Sequence, residues 1–224
     1  MTLTSARRIL RLLREFVPYN SIADFGCGSG TWLSVAIDDF GASRALGFEG
    51  PWMTQKELDH DKIDFQAHDL EQHIELPQTV DLAISLEVAE HLSERRAPSF
   101  VADLCAASPC VLFGAAIPGQ GGVGHVNEQW PSYWAELFKE RDYQPFDLIR
   151  PSIWGESELP YWYRQNVIFY ARRDKARELD LHYAPFMLDV IHPRRWEEEL
   201  EIPIWRRMPQ VLKSKLPWEK IIEI

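Results

Sequence analysis

The stretch Ser85–Leu92, SLEVAEHL, carries two glutamates and a histidine, Glu87, Glu90 and His91, at positions i, i+3 and i+4. On a helix that spacing sets all three on one face of one turn. Carboxylate oxygens and an imidazole nitrogen are donors that suit Mg²⁺, Mn²⁺ or Fe²⁺. A later polar cluster, GHVNEQW, adds His125, Asn127, Glu128 and Gln129. Glu87, Glu90 and His91 are therefore candidate metal ligands. Without a metal, His91 or His125 could instead serve as a general base. His91, His125 and Glu128 are the candidate catalytic residues on that reading. The plain alternative is an ordinary polar first turn of a surface helix.

The strongest local signal lies upstream, in ADFGCGSGTW. An apolar run enters a tight turn, Gly26-Cys27-Gly28-Ser29-Gly30, and a helical pattern follows. Glycines suit a backbone that must turn sharply and let a ligand approach closely. The wider G-x-G-x-x-G spacing of dinucleotide enzymes is missing, because position 33 is leucine. Glu49, in GFEG, stands where an acid can take the two hydroxyls of a ribose. Asp69, in AHDL, stands where it can accept from an exocyclic amine of adenine.

These residues need a scaffold, and the hydrophobic pattern supplies one. Residues 1–17 alternate apolar and basic positions with a helical period and stop before Pro18, which predicts a lead-in helix. SIADFG, RALGFE, DKIDFQAHD, TVDLAISL and CVLFGAAIP read as strands, with helices over residues 31–39 and from Glu87 through Cys105. Such alternation implies a parallel sheet covered on both faces. GQGGVGHVNEQWP is a glycine-rich loop over the sheet end. A helix, PSYWAELFKER, and two late strands, YQPFDLIR and RQNVIFYARR, follow. From about residue 173 the composition turns to charge mixed with tryptophan and proline.

The ordered set DFGCGSG, GFEG, HDL and DLAISLEVAEHL resembles the class I S-adenosylmethionine-dependent methyltransferases over roughly residues 18–172. The resemblance implies an α/β, Rossmann-like fold: a seven-stranded, mostly parallel sheet with a reversed last hairpin and helices on both faces. It implies that Asp24, Gly26, Cys27, Gly28 and Gly30 cradle the methionine and ribose parts of S-adenosyl-L-methionine. Glu49 then becomes the ribose ligand, Asp69 and Leu70 the adenine side, and Leu86 and Glu87 the floor beneath the sulfonium. The E-x-x-E-H turn with a later histidine also resembles the small-RNA 3′-terminal 2′-O-methyltransferases, in which two Glu and two His hold a divalent ion on a vicinal diol, and this resemblance implies Glu87, Glu90, His91 and His125 as the metal ligands. The segments around GHVNEQWPSYW and WGESELPYWYRQN resemble bacterial methyltransferases that act on saccharides and natural products. Trp130, Tyr133, Trp134, Trp154, Trp162, Tyr163, Gln165 and Asn166 would then offer stacking faces and hydrogen-bonding edges for a sugar.

The chain is expected to comprise a methyltransferase domain over residues 1–172 and a helical appendage over 173–224. A formal net charge of −10 disfavours long nucleic acids, whose binding draws on basic surfaces. No apolar run is long enough to span a bilayer, and the N-terminus lacks a secretory pattern. Cys27, Cys105 and Cys110 are odd in number and lack metal-site spacing, as expected of reduced thiols in the cytoplasm. The leading expectation is O-methylation of a sugar, glycan or glycosylated small molecule, assisted by Mg²⁺ or Mn²⁺. The alternatives are a metal-free enzyme for an amine, carboxylate or phenol, an RNA-end methyltransferase, and an inactive cofactor-binding subunit. The appendage is a candidate homodimer interface.

Overall fold

The structure, a computed structural model, describes residues 3–201. Its seven strands are β1 (Ser21–Phe25), β2 (Arg44–Glu49), β3 (Asp64–Ala67), β4 (Leu82–Leu86), β5 (Cys110–Gly114), β6 (Tyr143–Phe146) and β7 (Ile168–Arg172). They form one sheet in the order β3-β2-β1-β4-β5-β7-β6. The first five pair in parallel, and β7 runs antiparallel to both β5 and β6. This is the seven-stranded sheet with a reversed last hairpin that the sequence implied.

Successive strand residues alternate between two cores, as a period of two requires. Ile22, Leu82, Ile84, Leu112 and Phe169 face one side. Ala23, Phe25, Ala83, Val111, Phe113 and Tyr170 face the other. The helices α1 (Leu3–Arg14), α2 (Thr31–Asp38), α5 (Arg150–Ile153), α6 (Tyr161–Asn166) and α7 (Arg173–Glu178) contribute to the first core. The second is closed by α3 (Ala97–Ala107) and α4 (Pro131–Lys139). In α1 the apolar stripe Ile9, Leu10, Leu12 and Leu13 is buried, while Arg7 and Arg8 reach out to Asp39 and Glu156.

Two expected elements differ. Arg164, Gln165 and Asn166, expected to open the last strand, end the helix α6 instead. No continuous helix starts at Glu87. That residue sits at φ 58°, and a three-residue 3₁₀ turn, Ala89–His91, follows. A second 3₁₀ turn, Glu94–Arg96, leads into α3, whose first turn contains Pro98. The left-handed residue breaks α-helical geometry, and proline suits a first turn, so regular helix begins only at Ala97.

By its contacts the chain divides into Met1–Val190 and Ile191–Ile224. In the first unit α7 packs against the sheet, its Ala176 buried in the first core. In the second unit the described part is α8 (Pro193–Glu201), with Trp196 exposed. The rest of the tail expected to serve as a dimer interface lies outside the described residues. Among the described residues no helix is long and apolar enough to cross a membrane.

Candidate active site

The sheet order reverses between β1 and β4, and in such sheets the crevice beyond the carboxyl ends of the strands is where ligands bind. The turn after β1 holds Gly26, Gly28 and Gly30 at φ 92°, 53° and 80°. At Gly26 a Cβ would lie 2.3 Å from Val88 Cγ2, so the turn after β1 lies flush against the turn after β4. Gly26 and Cys27 donate their amides to Phe48 O at 2.8 and 3.0 Å. The Gly28 amide donates to Glu49 Oε2 at 2.9 Å, and Gly50 donates to Glu49 Oε1 at 2.8 Å. The acid that ends β2 thus faces the glycine turn.

Asp24 is buried, and its Oδ2 has no hydrogen-bond partner. Burial, with a smaller push from Glu49, raises its pKa to about 8. Cys27 is buried, and burial likewise pushes its thiol up. Leu86 and Leu70 are buried. Asp69 is exposed just past β3, where its carboxylate accepts the Glu71 amide at 3.0 Å. Sequence reasoning missed Asp59, whose Oδ2 accepts from Ser29 Oγ at 2.9 Å and Thr31 Oγ1 at 2.7 Å. It stiffens the far side of the glycine turn. An isolated acid in a polar loop gave no signal of that.

Beyond β4 the polar residues separate into two groups. Glu87 accepts from Asn166 Nδ2 at 3.1 Å through Oε1 and from Gln120 Nε2 at 3.2 Å through Oε2. Gln165 donates to both Gln120 and Asn166, which closes an amide network around that carboxylate. Burial raises the Glu87 pKa, and the two amides offset part of the rise. Gln120, within a run of glycines, was also missed.

The second group is Glu90, His91 and His125, whose ligand atoms lie within 4.8 Å of one another. Glu90 has no exposed surface, and neither of its oxygens makes a hydrogen bond of good geometry. Burial raises its pKa, Glu87 adds to the rise, and the nearby amides of Glu90 and Ala116 offset only part. The two imidazoles meet edge to face, with centroids 4.8 Å apart. His91 Nδ1 donates to Gly124 O at 3.3 Å, and His125 Nδ1 donates to Glu128 Oε1 at 2.8 Å. Both acceptors lack a proton to give, so Nδ1 of each ring carries a proton and Nε2 is the nitrogen these bonds leave over. Burial and the neighbouring His125 hold His91 below the usual histidine pKa. Glu90 O accepts the amides of Val126 and Asn127 at 2.8 and 3.0 Å, and this pins the loop that brings His125 into place.

Residues 3–109 hold the glycine turn, Glu49 and the Glu87–His91 turn, and they match a family model described as a methyltransferase domain. The chain carries a class I methyltransferase domain. No curated protein matches the sequence. The methyltransferase fold is similar to that of a Haloferax volcanii methyltransferase solved with the activator Trm112, at 16% identity and TM-score 0.53, covering 75% of this chain and 91% of that one. Magnesium protoporphyrin IX methyltransferase from Synechocystis PCC 6803, with bound S-adenosylhomocysteine, is similar at 15% identity and TM-score 0.53, covering 76% and 81%. The methyltransferase domain of a bacterial Hen1 is similar at 16% identity and TM-score 0.50, covering 75% and 95%. At such identities the likeness concerns the fold.

Two aromatics expected to stack on a sugar are core residues of the methyltransferase domain. Trp134 lies against Phe113 in the second core, and Tyr163 meets Trp32 in the first. Trp130, Tyr133 and Trp154 are half-buried, and Trp162 is exposed.

Proposed function

We propose that the protein is an S-adenosylmethionine-dependent O-methyltransferase that holds a sugar hydroxyl of its acceptor at a divalent cation bound by Glu90, His91 and His125. The observation that carries this reading is the buried, unpartnered carboxylate of Glu90 beside two imidazoles. A buried carboxylate without partners is costly, and a cation removes that cost. One carboxylate and two imidazoles suit Mn²⁺ or Fe²⁺ better than Mg²⁺ and leave positions for oxygen ligands of a substrate. Glu87 stands apart, since both its oxygens are taken by amides.

S-adenosylmethionine would supply the electrophilic methyl group, and the cation would lower the pKa of the hydroxyl bound to it. The protein's part is placement. Gly28 and Glu49 offer an amide and a carboxylate for the ribose, and Asp24 lies at the base of the same turn. Gln120, Gln165 and Asn166 fix Glu87 at the end of β4, between the donor side and the acceptor side. Vicinal hydroxyls, which bind one cation through two oxygens, are the acceptor chemistry this centre favours.

The 3′-terminal ribose of RNA offers the same diol. The E-x-x-E-H turn and the fold likeness to the bacterial Hen1 domain support that second reading, whereas the net charge of −10 weighs toward a small saccharide. A binding and turnover assay separates the possibilities. The expected result is Mn²⁺ binding that Glu90→Ala abolishes, and methyl transfer to a glycoside with vicinal hydroxyls. Transfer only to RNA 3′ ends would select the second reading. Transfer to phenols, amines or carboxylates that chelators leave intact would select a histidine base. Tight cofactor binding with no turnover on any acceptor would mark an inactive subunit.

A further inference from the structure

We infer that Glu128 is the positioning residue of this centre, and that through it the orientation of His125 and the order of the glycine-rich loop 119–124 form one equilibrium. The inference rests on the reading of Glu90, His91 and His125 as a cation site. One carboxylate gathers three donors. Glu128 Oε1 accepts from His125 Nδ1 at 2.8 Å and from the Gly121 amide at 2.7 Å, and Oε2 accepts from the Gly119 amide at 2.8 Å. The carboxylate is an acceptor aimed at one imidazole nitrogen, which settles both the tautomer and the ring plane.

Gln120, between the two glycines, is tied to Glu87, Gln165 and Asn166, and Glu128 anchors the backbone on either side of it. Gly119 and Gly121 adopt φ 80° and 71°, and a Cβ at either would meet nothing within 4 Å. At Gly122, in contrast, a Cβ would lie 2.2 Å from His125 Nε2, so the loop wraps the ring. The continuation of the loop reaches the other two candidate ligands. Gly124 O accepts from His91, and the amides of Val126 and Asn127 donate to Glu90 O. Ordering the loop thus presets all three donors, and by reciprocity a cation that needs them preset must order the loop.

The test uses the full chain and Mn²⁺. Manganese affinity is measured by calorimetry, and amide hydrogen exchange of the peptide spanning 119–124 is followed with and without Mn²⁺. The expected result in wild type is slower exchange of that peptide with the metal. Glu128→Gln should weaken Mn²⁺ about 10- to 100-fold, alter the visible bands of bound Co²⁺, and remove the metal-dependent protection. Glu128→Asp keeps the charge but is one methylene short, and it should lose affinity similarly. S-adenosylhomocysteine affinity within twofold of wild type confirms that each variant is folded. Wild-type-like Mn²⁺ binding in Glu128→Gln, or in Glu128→Asp, would overturn the inference while leaving the cation site standing. If wild type itself binds no Mn²⁺, the site reading falls, and faster loop exchange in Glu128→Gln would then mark a purely structural splint.

Discussion

The Gly28 amide donates to Glu49 Oε2 at 2.9 Å, and this bond ties the turn after β1 to the acid that ends β2. The same carboxylate steadies Gly50 through its other oxygen. A ribose would therefore meet an acid already oriented by the backbone rather than one free to rotate. Removing it costs both the ligand and the order of the turn.

Glu49→Ala should accordingly weaken S-adenosylhomocysteine by about 10- to 100-fold, the cost of hydrogen bonds to a charged group. Glu49→Gln, which keeps one acceptor oxygen, should fall between. Calorimetric titration of the two variants checks the order. Equal affinity in Glu49→Ala and wild type would contradict the assignment.

Glu90 predicts an opposition between stability and function. In metal-free protein its carboxylate is buried without a partner, so Glu90→Met should raise stability by about 1–3 kcal/mol. For a domain of this size that corresponds to several degrees in melting temperature. The same variant should lose divalent-cation binding. A lower melting temperature in metal-free buffer would show that the carboxylate is satisfied in solution by groups other than a cation.

Asp24 predicts the pH dependence of the cofactor-free fold. Its folded pKa is raised from 3.8 to about 8, chiefly by burial. Between those values the folded chain keeps a proton that the unfolded chain has released. The contribution of Asp24 to stability is thus fully present below pH 3.8 and is lost as pH rises through about 8. Asp24→Asn should therefore gain on wild type as pH rises from 5 to 9, by about 1–3 kcal/mol, the scale of an unpaired buried polar group. Thermal melts across that range test the sign, and a gap that shrinks with pH would refute it.

Much of the fold was legible because its strands are short apolar runs closed by glycine, proline or acid, and the helices between them force a parallel sheet. The cofactor turn was legible because positive φ at three positions narrows the choice of residue to glycine. The Glu87–His91 turn was misread as helix, since an i, i+3, i+4 spacing carries no mark of the left-handed residue that opens it. The meeting of Glu90 with His125 is set by the pairing of β4 with β5 and by the two amides pinned to Glu90 O, neither of which is a local property of the chain. Gln120 escaped notice for a similar reason. Its value lies in facing Glu87 and Asn166 from another strand end, while locally it resembles any polar residue among glycines.

The left-handed backbone at Glu87 carries an implication for how the sequence is free to drift. A side chain there costs about 1–2 kcal/mol that glycine would not. Glycine there would relieve that strain, yet it would leave the amides of Asn166 and Gln120 without their carboxylate acceptor, so the backbone and the hydrogen-bond network pull this one position in opposite directions.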